Sequence, residues 1–212
     1  MKPNIRTILF DFDGVFCHDR FYVKTLLPKH RKTYDWIQEN LFERNQDFVH
    51  RWMKGQITSS EVNRWIAEKT DIDCEQLVHL FSESVRLMVI DQELLELITQ
   101  LRNKGIKIGL VTDNMDVFST ITITSHKLNE RFDAIINSAD YGFLKKDENG
   151  KLFDIALERV GESIEESLLV DNSATAIALF KQKGGQAYLY ENFRVFEEWA
   201  QKNLMPDSVR QF

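Results

Sequence analysis

Two hydrophobic patterns divide the chain. Short apolar runs that end in polar clusters occur at residues 6–11 and again from residue 91 onward. Between residues 16 and 88 almost no strand-like alternation is found, and the only Pro and Gly are Pro28 and Gly55. The middle block therefore reads as helical. Trp36, Ile37, Leu41 and Phe48 fall near helical spacing over Lys32–Phe48. Thr58-Ser59-Ser60-Glu61 is a capping-box pattern that opens a helix over Val62–Lys69, and Asp73 with Gln76 opens another through Leu80, Phe81 and Val85.

From residue 91 the pattern becomes a regular alternation of helix and strand. Asp91 caps a helix carrying Leu94, Leu95, Ile98 and Leu101, which Gly105 stops. Ile106–Val111 is a strand, and a helix to about Lys127 follows across the β-branched run Ile121–Thr124. Strands are then expected at Ala134–Asn137, Ser167–Val170 and Ala187–Tyr190, with a polar loop to Gly150. Helices are expected at Leu152–Val160 and Ala174–Lys183, and a last one carries Phe193, Phe196 and Trp199. Strands joined by crossover helices predict an α/β fold: a Rossmann-like, doubly wound parallel sheet. Residues 1–15 and 89–212 make that core, and residues 16–88 an inserted α-helical subdomain.

Candidate chemistry gathers at the strand ends. Ile8-Leu9-Phe10-Asp11-Phe12-Asp13-Gly14-Val15 is a buried-strand pattern closed by two acids and a glycine. Thr112-Asp113-Asn114 closes the second strand, and Asp171-Asn172-Ser173 the fourth. Lys145 or Lys146 lies in the loop after Ser138-Ala139-Asp140-Tyr141-Gly142. In a parallel sheet these ends share one edge, where ligands bind. Taken singly, each cluster could simply cap the helix that follows. Together, carboxylates, a hydroxyl and an ammonium suit phosphoryl transfer assisted by a divalent cation with oxygen ligands.

The order of these motifs resembles the haloacid dehalogenase (HAD)-like hydrolase superfamily, subfamily I with a helical C1 cap. Asp11-Phe12-Asp13-Gly14-Val15 is similar to its first motif and Val111-Thr112 to its second. Ser138-x-x-x-Gly142-x-x-Lys145 is similar to the third, and Val170-Asp171-Asn172-Ser173 to the fourth. The resemblance implies a Mg2+-dependent phosphatase acting on a small phosphorylated metabolite. Asp11 would be the nucleophile and Asp13 the acid–base. Thr112, Asp113, Asn114 and Lys145 would hold the phosphoryl group, and Asp11, Asp13, Asp171 and Asn172 the metal. Residues 16–88 would be the cap over the site. A phosphomutase of the same fold, or a non-catalytic protein binding a phosphorylated ligand or a partner, remains open. The chain departs from the family pattern where Lys146 follows Lys145 and where Asn172 occupies the usual position of an acid; either Asp171 or Asn172 would then meet the metal.

Composition narrows the classes further. A net charge of −6 argues against general nucleic-acid binding. Two cysteines, Cys17 and Cys74, form no metal-binding or disulfide pattern. No run approaches a membrane span, and the first apolar run carries Asp11 and Asp13, so a cytoplasmic setting is expected. Within this acidic chain, residues 20–32 hold Arg20, Lys24, Lys29, Arg31 and Lys32 without an acid, with His18 and His30 nearby. Some of these cations are expected to face an anionic substrate. Trp36, Trp52 and Trp65 are expected in the core of the insert.

Overall fold

A computed structural model describes residues 5–205. Five apolar runs pair as one parallel sheet: β1 (Thr7–Phe10), β2 (Lys107–Thr112), β3 (Ala134–Asn137), β4 (Ser167–Asp171) and β5 (Gln186–Leu189), in the order β3-β2-β1-β4-β5. The doubly wound α/β core expected from the sequence is therefore present. β1 lies at the centre and is buried along its whole length. A central strand of this kind has no polar face, which is why Thr7–Phe10 shows no polar alternation.

The period of two along the strands sorts side chains onto two faces. Ile8, Phe10, Ile108, Leu110, Leu168 and Val170 pack on one face with α5 (Gln92–Asn103) and α10 (Phe193–Leu204). Leu9, Val111, Ile136 and Leu169 pack on the other with α8 (Lys151–Val160) and α9 (Ala174–Gln182). Leu9 sits over Gly109, its register partner: a Cβ at Gly109 would come within 2.6 Å of Leu9 Cδ2.

The remaining helices are α1 (Arg31–Ile37), α2 (Gln46–Met53), α3 (Ser59–Ala67), α4 (Cys74–Arg86), and the short α6 (Ile123–Ser125) and α7 (Ser138–Tyr141). Helices α1–α4 build a second apolar core around Leu41, Trp52, Val62, Leu77 and Phe81. The caps form as their local patterns imply. Thr58 and Glu61 make a reciprocal capping box on α3, Asp73 accepts from Gln76 N on α4, and Asp91 accepts from Leu94 N on α5. Trp36 and Trp65 pack at 5.4 Å with their rings tilted by 41°, and Trp52 is fully buried, so the tryptophans serve this core.

Two helices depart from expectation. The single helix over Lys32–Phe48 is instead α1, a π-helical turn at Gln38–Glu43, a break at Arg44–Asn45, and α2. Phe42, within this wider turn, meets the ring of Phe21 at 6.3 Å. The helix after β2 likewise contains a π turn at Phe118–Thr122 before α6, across the β-branched run. Phe16, Cys17 and Met88 pack with the sheet rather than with α1–α4. Among the described residues, no helix is long and apolar enough to cross a membrane.

Leu9→Ala would open a cavity over Gly109 at the centre of the sheet. Its cost should be about 2–5 kcal/mol, read as a lower midpoint in urea unfolding with an unchanged slope.

Candidate active site

The first acid is placed by the sheet itself. Asp11 continues β1 by one residue, its N–H donating to Val170 O at 3.0 Å. Gly14, at φ +76°, then turns the chain sharply, and its N–H donates to Cys17 O. Phe12 O collects the N–H groups of Val15, Phe16 and Cys17, so Asp13 rides on a tight, fully bonded turn. Asp171 ends β4 beside Asp11, because Phe10 pairs with Val170. Two carboxylates are thus forced together at the sheet edge.

Lys145 balances them. Its Nζ lies 2.9 Å from Asp11 Oδ2 and 2.7 Å from Asp171 Oδ2, and the lysine is 5% exposed. Asp11 Oδ1 accepts from Phe12 N at 2.8 Å and Asp171 Oδ1 from Ser173 N at 2.7 Å. The lysine loop is itself anchored, with Lys145 N donating to Asp113 Oδ1 at 2.7 Å and Leu144 N to Asp147 Oδ2 at 3.1 Å. Of the two candidate lysines, Lys145 enters the cluster and Lys146 stays exposed.

The other predicted residues fall around this cluster. Thr112 is fully buried at the end of β2, and its Oγ1 has no hydrogen-bond partner. Asp113 spends one carboxylate oxygen on the Lys145 backbone. Asn114 turns its amide to Asp13, donating from Nδ2 to Asp13 Oδ2 at 2.8 Å, while its Oδ1 accepts from Met115 N. The sequence placed Asn114 among phosphoryl ligands; the structure makes it a partner of Asp13. Asn172 is exposed and lies against Gly14, where a Cβ would fall on its amide group.

Electrostatics follow from burial and from the excess of acids. Desolvation raises Asp11 to about 6 against the opposing pull of Lys145. Asp13 opens onto solvent along the cleft, yet the low-dielectric walls and the Asp11 charge push it up to about 7. Burial also raises Asp113. Burial alone would lower Lys145, but Asp11, Asp171 and Asp113 outweigh it and hold the ammonium charged.

Two cavities meet at Asp13. One, of about 380 Å3, is lined by Asp11, Asp13, Asp113, Lys145, Lys146 and His50. The other, of about 520 Å3, runs from Asp13 along Arg20, Phe21 and the π turn. Of the basic run, Arg20 lines the larger of these two cavities. Lys24 instead binds Asp19 and Leu87 O, and Arg31 pairs with Asp35.

The helical unit is fastened over these cavities by contacts that sequence reading missed. Asp116 accepts from Trp52 Nε1, Ser59 N and Ser59 Oγ. Ser138 Oγ donates to Met53 O at 2.6 Å, and Lys54 pairs with Asp147 at 2.7 Å. Gly55 has φ +63° and passes so close to Ala139 O that a Cβ would lie 2.3 Å away. These partners are 57–93 residues apart in the chain, beyond any local motif.

A family model described as haloacid dehalogenase-like hydrolase matches residues 5–184. Among solved structures, a HAD family enzyme of Bacteroides thetaiotaomicron, in complex with magnesium and inorganic phosphate, is 18% identical. Its TM-score is 0.69, over 91% of this chain and 99% of that one. A predicted HAD-like family hydrolase of Porphyromonas gingivalis is 17% identical, with a TM-score of 0.72 over 94% and 98% of the two chains. L-2-haloacid dehalogenase of Xanthobacter autotrophicus is 13% identical, with a TM-score of 0.67 over 98% and 85%. At these identities the likeness is one of fold. No curated protein sequence matches the chain.

Lys145→Met would leave buried carboxylates without their cation, at a cost of about 3–5 kcal/mol near pH 8. Asp11, already raised to about 6, would bind its proton still more tightly in the folded state. Stability held by a raised carboxyl is lost as pH rises through its folded value, so the deficit should shrink at pH 5. Urea unfolding at both pH values measures this, and an equal deficit at both would contradict it.

Proposed function

The chain belongs to the haloacid dehalogenase-like hydrolase family, and on that premise we propose that it is a Mg2+-dependent phosphatase of small phosphate monoesters. One observation carries the reading. Lys145 balances Asp11 and Asp171 in a buried cluster, while Asp13, held by Asn114 at 2.8 Å, stands beside them with a pKa of about 7. Asp11 is kept anionic by the lysine and is fitted to attack. Asp13 is fitted to carry a proton near neutrality.

In the first step Asp11 Oδ attacks phosphorus and the bond from phosphorus to the ester oxygen breaks. Asp13 gives its proton to that departing oxygen, releasing an alcohol and leaving an aspartyl-phosphate. Asp13, now a carboxylate, then takes a proton from water as the water oxygen attacks phosphorus. The bond from phosphorus to Asp11 breaks, and inorganic phosphate leaves with both aspartates restored. Lys145, and the unpartnered hydroxyl of Thr112, would hold phosphoryl oxygens. A departing halide needs no proton, so carbon–halogen cleavage would leave Asp13 without its first task, protonation of the leaving group.

The donor set fits Mg2+. Four carboxylates, Asp11, Asp13, Asp113 and Asp171, are set against the single buried ammonium of Lys145, and the donors are hard oxygens. Among the described residues no group of three or more His, Cys, Asp or Glu side chains is placed to hold a metal ion by itself. The remaining ligands would come from backbone, water and substrate, as Mg2+ usually takes them. Asp11 and the Asp13 carbonyl would hold it, with either Asp171, whose oxygens already meet Lys145 and Ser173 N, or the exposed Asn172 amide beside them. When bound, the ion would offset the charge that develops on the phosphoryl oxygens. The magnesium and phosphate complex of the Bacteroides enzyme supports this reading.

Inorganic phosphate release from acetyl phosphate and an aryl phosphate tests it, with Mg2+ and with a chelator. Turnover should require the metal, vanish in Asp11→Asn and fall by about 10^2–10^4-fold in Asp13→Asn. Turnover that survives Asp11→Asn would remove the aspartyl-phosphate route.

A further inference from the structure

The larger cavity offers a set of groups that phosphoryl transfer does not use. Phe21 and Phe42 line it with ring centroids 6.3 Å apart and planes inclined by 23°. Phe21 is held in place by Trp52 and Phe81, so the pair is a fixed apolar face. Gln38 also lines the cavity, and its Nε2 is buried and donates to nothing. Arg20 and Glu43 line it as exposed, opposite charges, and neither has an ion pair with any described residue. The π-helical turn delivers three of these groups at once. Its wider repeat brings Gln38, Phe42 and Glu43 to one side, whereas an ordinary helical turn would rotate Glu43 away.

Resting on the phosphatase reading, we propose that this cavity receives the alcohol half of the substrate and that the alcohol is a nucleoside, so that the substrate is a nucleoside monophosphate. A base supplies a flat π face for Phe21 and Phe42 and a ring edge with an acceptor for Gln38 Nε2. Base and ribose donors meet Glu43, and acceptors meet Arg20. A three-carbon acid would fill little of about 520 Å3 and would leave the phenylalanine face uncovered. A hexose would satisfy the two charges but brings no planar ring to the phenylalanines. Asp13 lies in both cavities, so the bridging ester oxygen of such a substrate falls beside the proton donor.

The test compares kcat/KM for adenosine and uridine 5′-monophosphates, glucose 6-phosphate, 3-phosphoglycerate and acetyl phosphate. Acetyl phosphate carries almost no leaving body and reports on the phosphoryl site. The nucleotides should exceed the sugar and acid phosphates by about tenfold or more. In Phe42→Ala the ratio of nucleotide to acetyl phosphate kcat/KM should fall about tenfold or more, chiefly through KM. Gln38→Leu should reduce discrimination between the two bases. Turnover of acetyl phosphate with no nucleotide preference, or an equal loss on every substrate in Phe42→Ala, would overturn the subsite and leave the phosphatase standing. If acetyl phosphate is not hydrolysed, the phosphatase reading fails instead. Calorimetry of adenosine 5′-monophosphate with Asp11→Asn protein then decides the subsite. Binding weakened by adding Phe42→Ala supports it, and no binding overturns it.

Discussion

Lys145 carries an ammonium into a place where the sheet has already put two carboxylates, and none of the three charges could stay there alone. The register of β1 against β4 makes Asp11 and Asp171 neighbours. Like charges side by side and out of water are unfavourable, and an isolated buried ion costs several kcal/mol even after relaxation. The lysine removes much of that cost by lying within 3 Å of both acids. It can do so because its loop is pinned through its own backbone, to Asp113 and, one residue earlier, to Asp147. The ends of β1, β2 and β4 and the loop after β3 are therefore parts of one charge balance. A shift in any of them changes the other three.

The helical unit is tied to the same framework. Asp147 anchors Leu144 on one side and receives Lys54 on the other. Ser138 accepts from Asn114 N, the residue that holds Asp13, and donates to Met53 O. Single side chains thus join the floor of the site to its roof. The roof has its own apolar core, reinforced by Met115 and Val117 from the turn after β2. At the opposite end Asp19 accepts from Val89 N, and Lys24 bridges Asp19 and Leu87 O, so the two connecting segments are clamped together.

What the sequence made legible was local. The strands were readable because a fully buried parallel strand has to be apolar throughout. The caps at Thr58, Asp73 and Asp91 were readable because donor and acceptor lie three residues apart. Asp11, Asp13, Thr112 and Asp171 could be placed on one edge because parallel strands share that edge. The choice between Lys145 and Lys146 is a matter of side-chain direction on a loop that distant contacts fix. The same holds for Asp171 and Asn172, which face opposite ways at the end of β4. Asn114 carried no local sign of its bond to Asp13, 101 residues away. The π turn was hidden because Leu41 and Phe48 keep the apolar rhythm across a break in the backbone.

The position of Asp13 links fold, charge and substrate. It stands where the two cavities meet, on a turn whose hydrogen bonds leave it little freedom. On the proposed reading, an ester with its phosphoryl group near Lys145 and its body against the π turn would lay its bridging oxygen close to this carboxyl. The same low-dielectric walls and the same Asp11 charge that raise Asp13 to about 7 also keep a proton available at that point. The acid is therefore suited to its place by the two features that create the place: the crowding of carboxylates at the sheet edge and the closure of the helices above it.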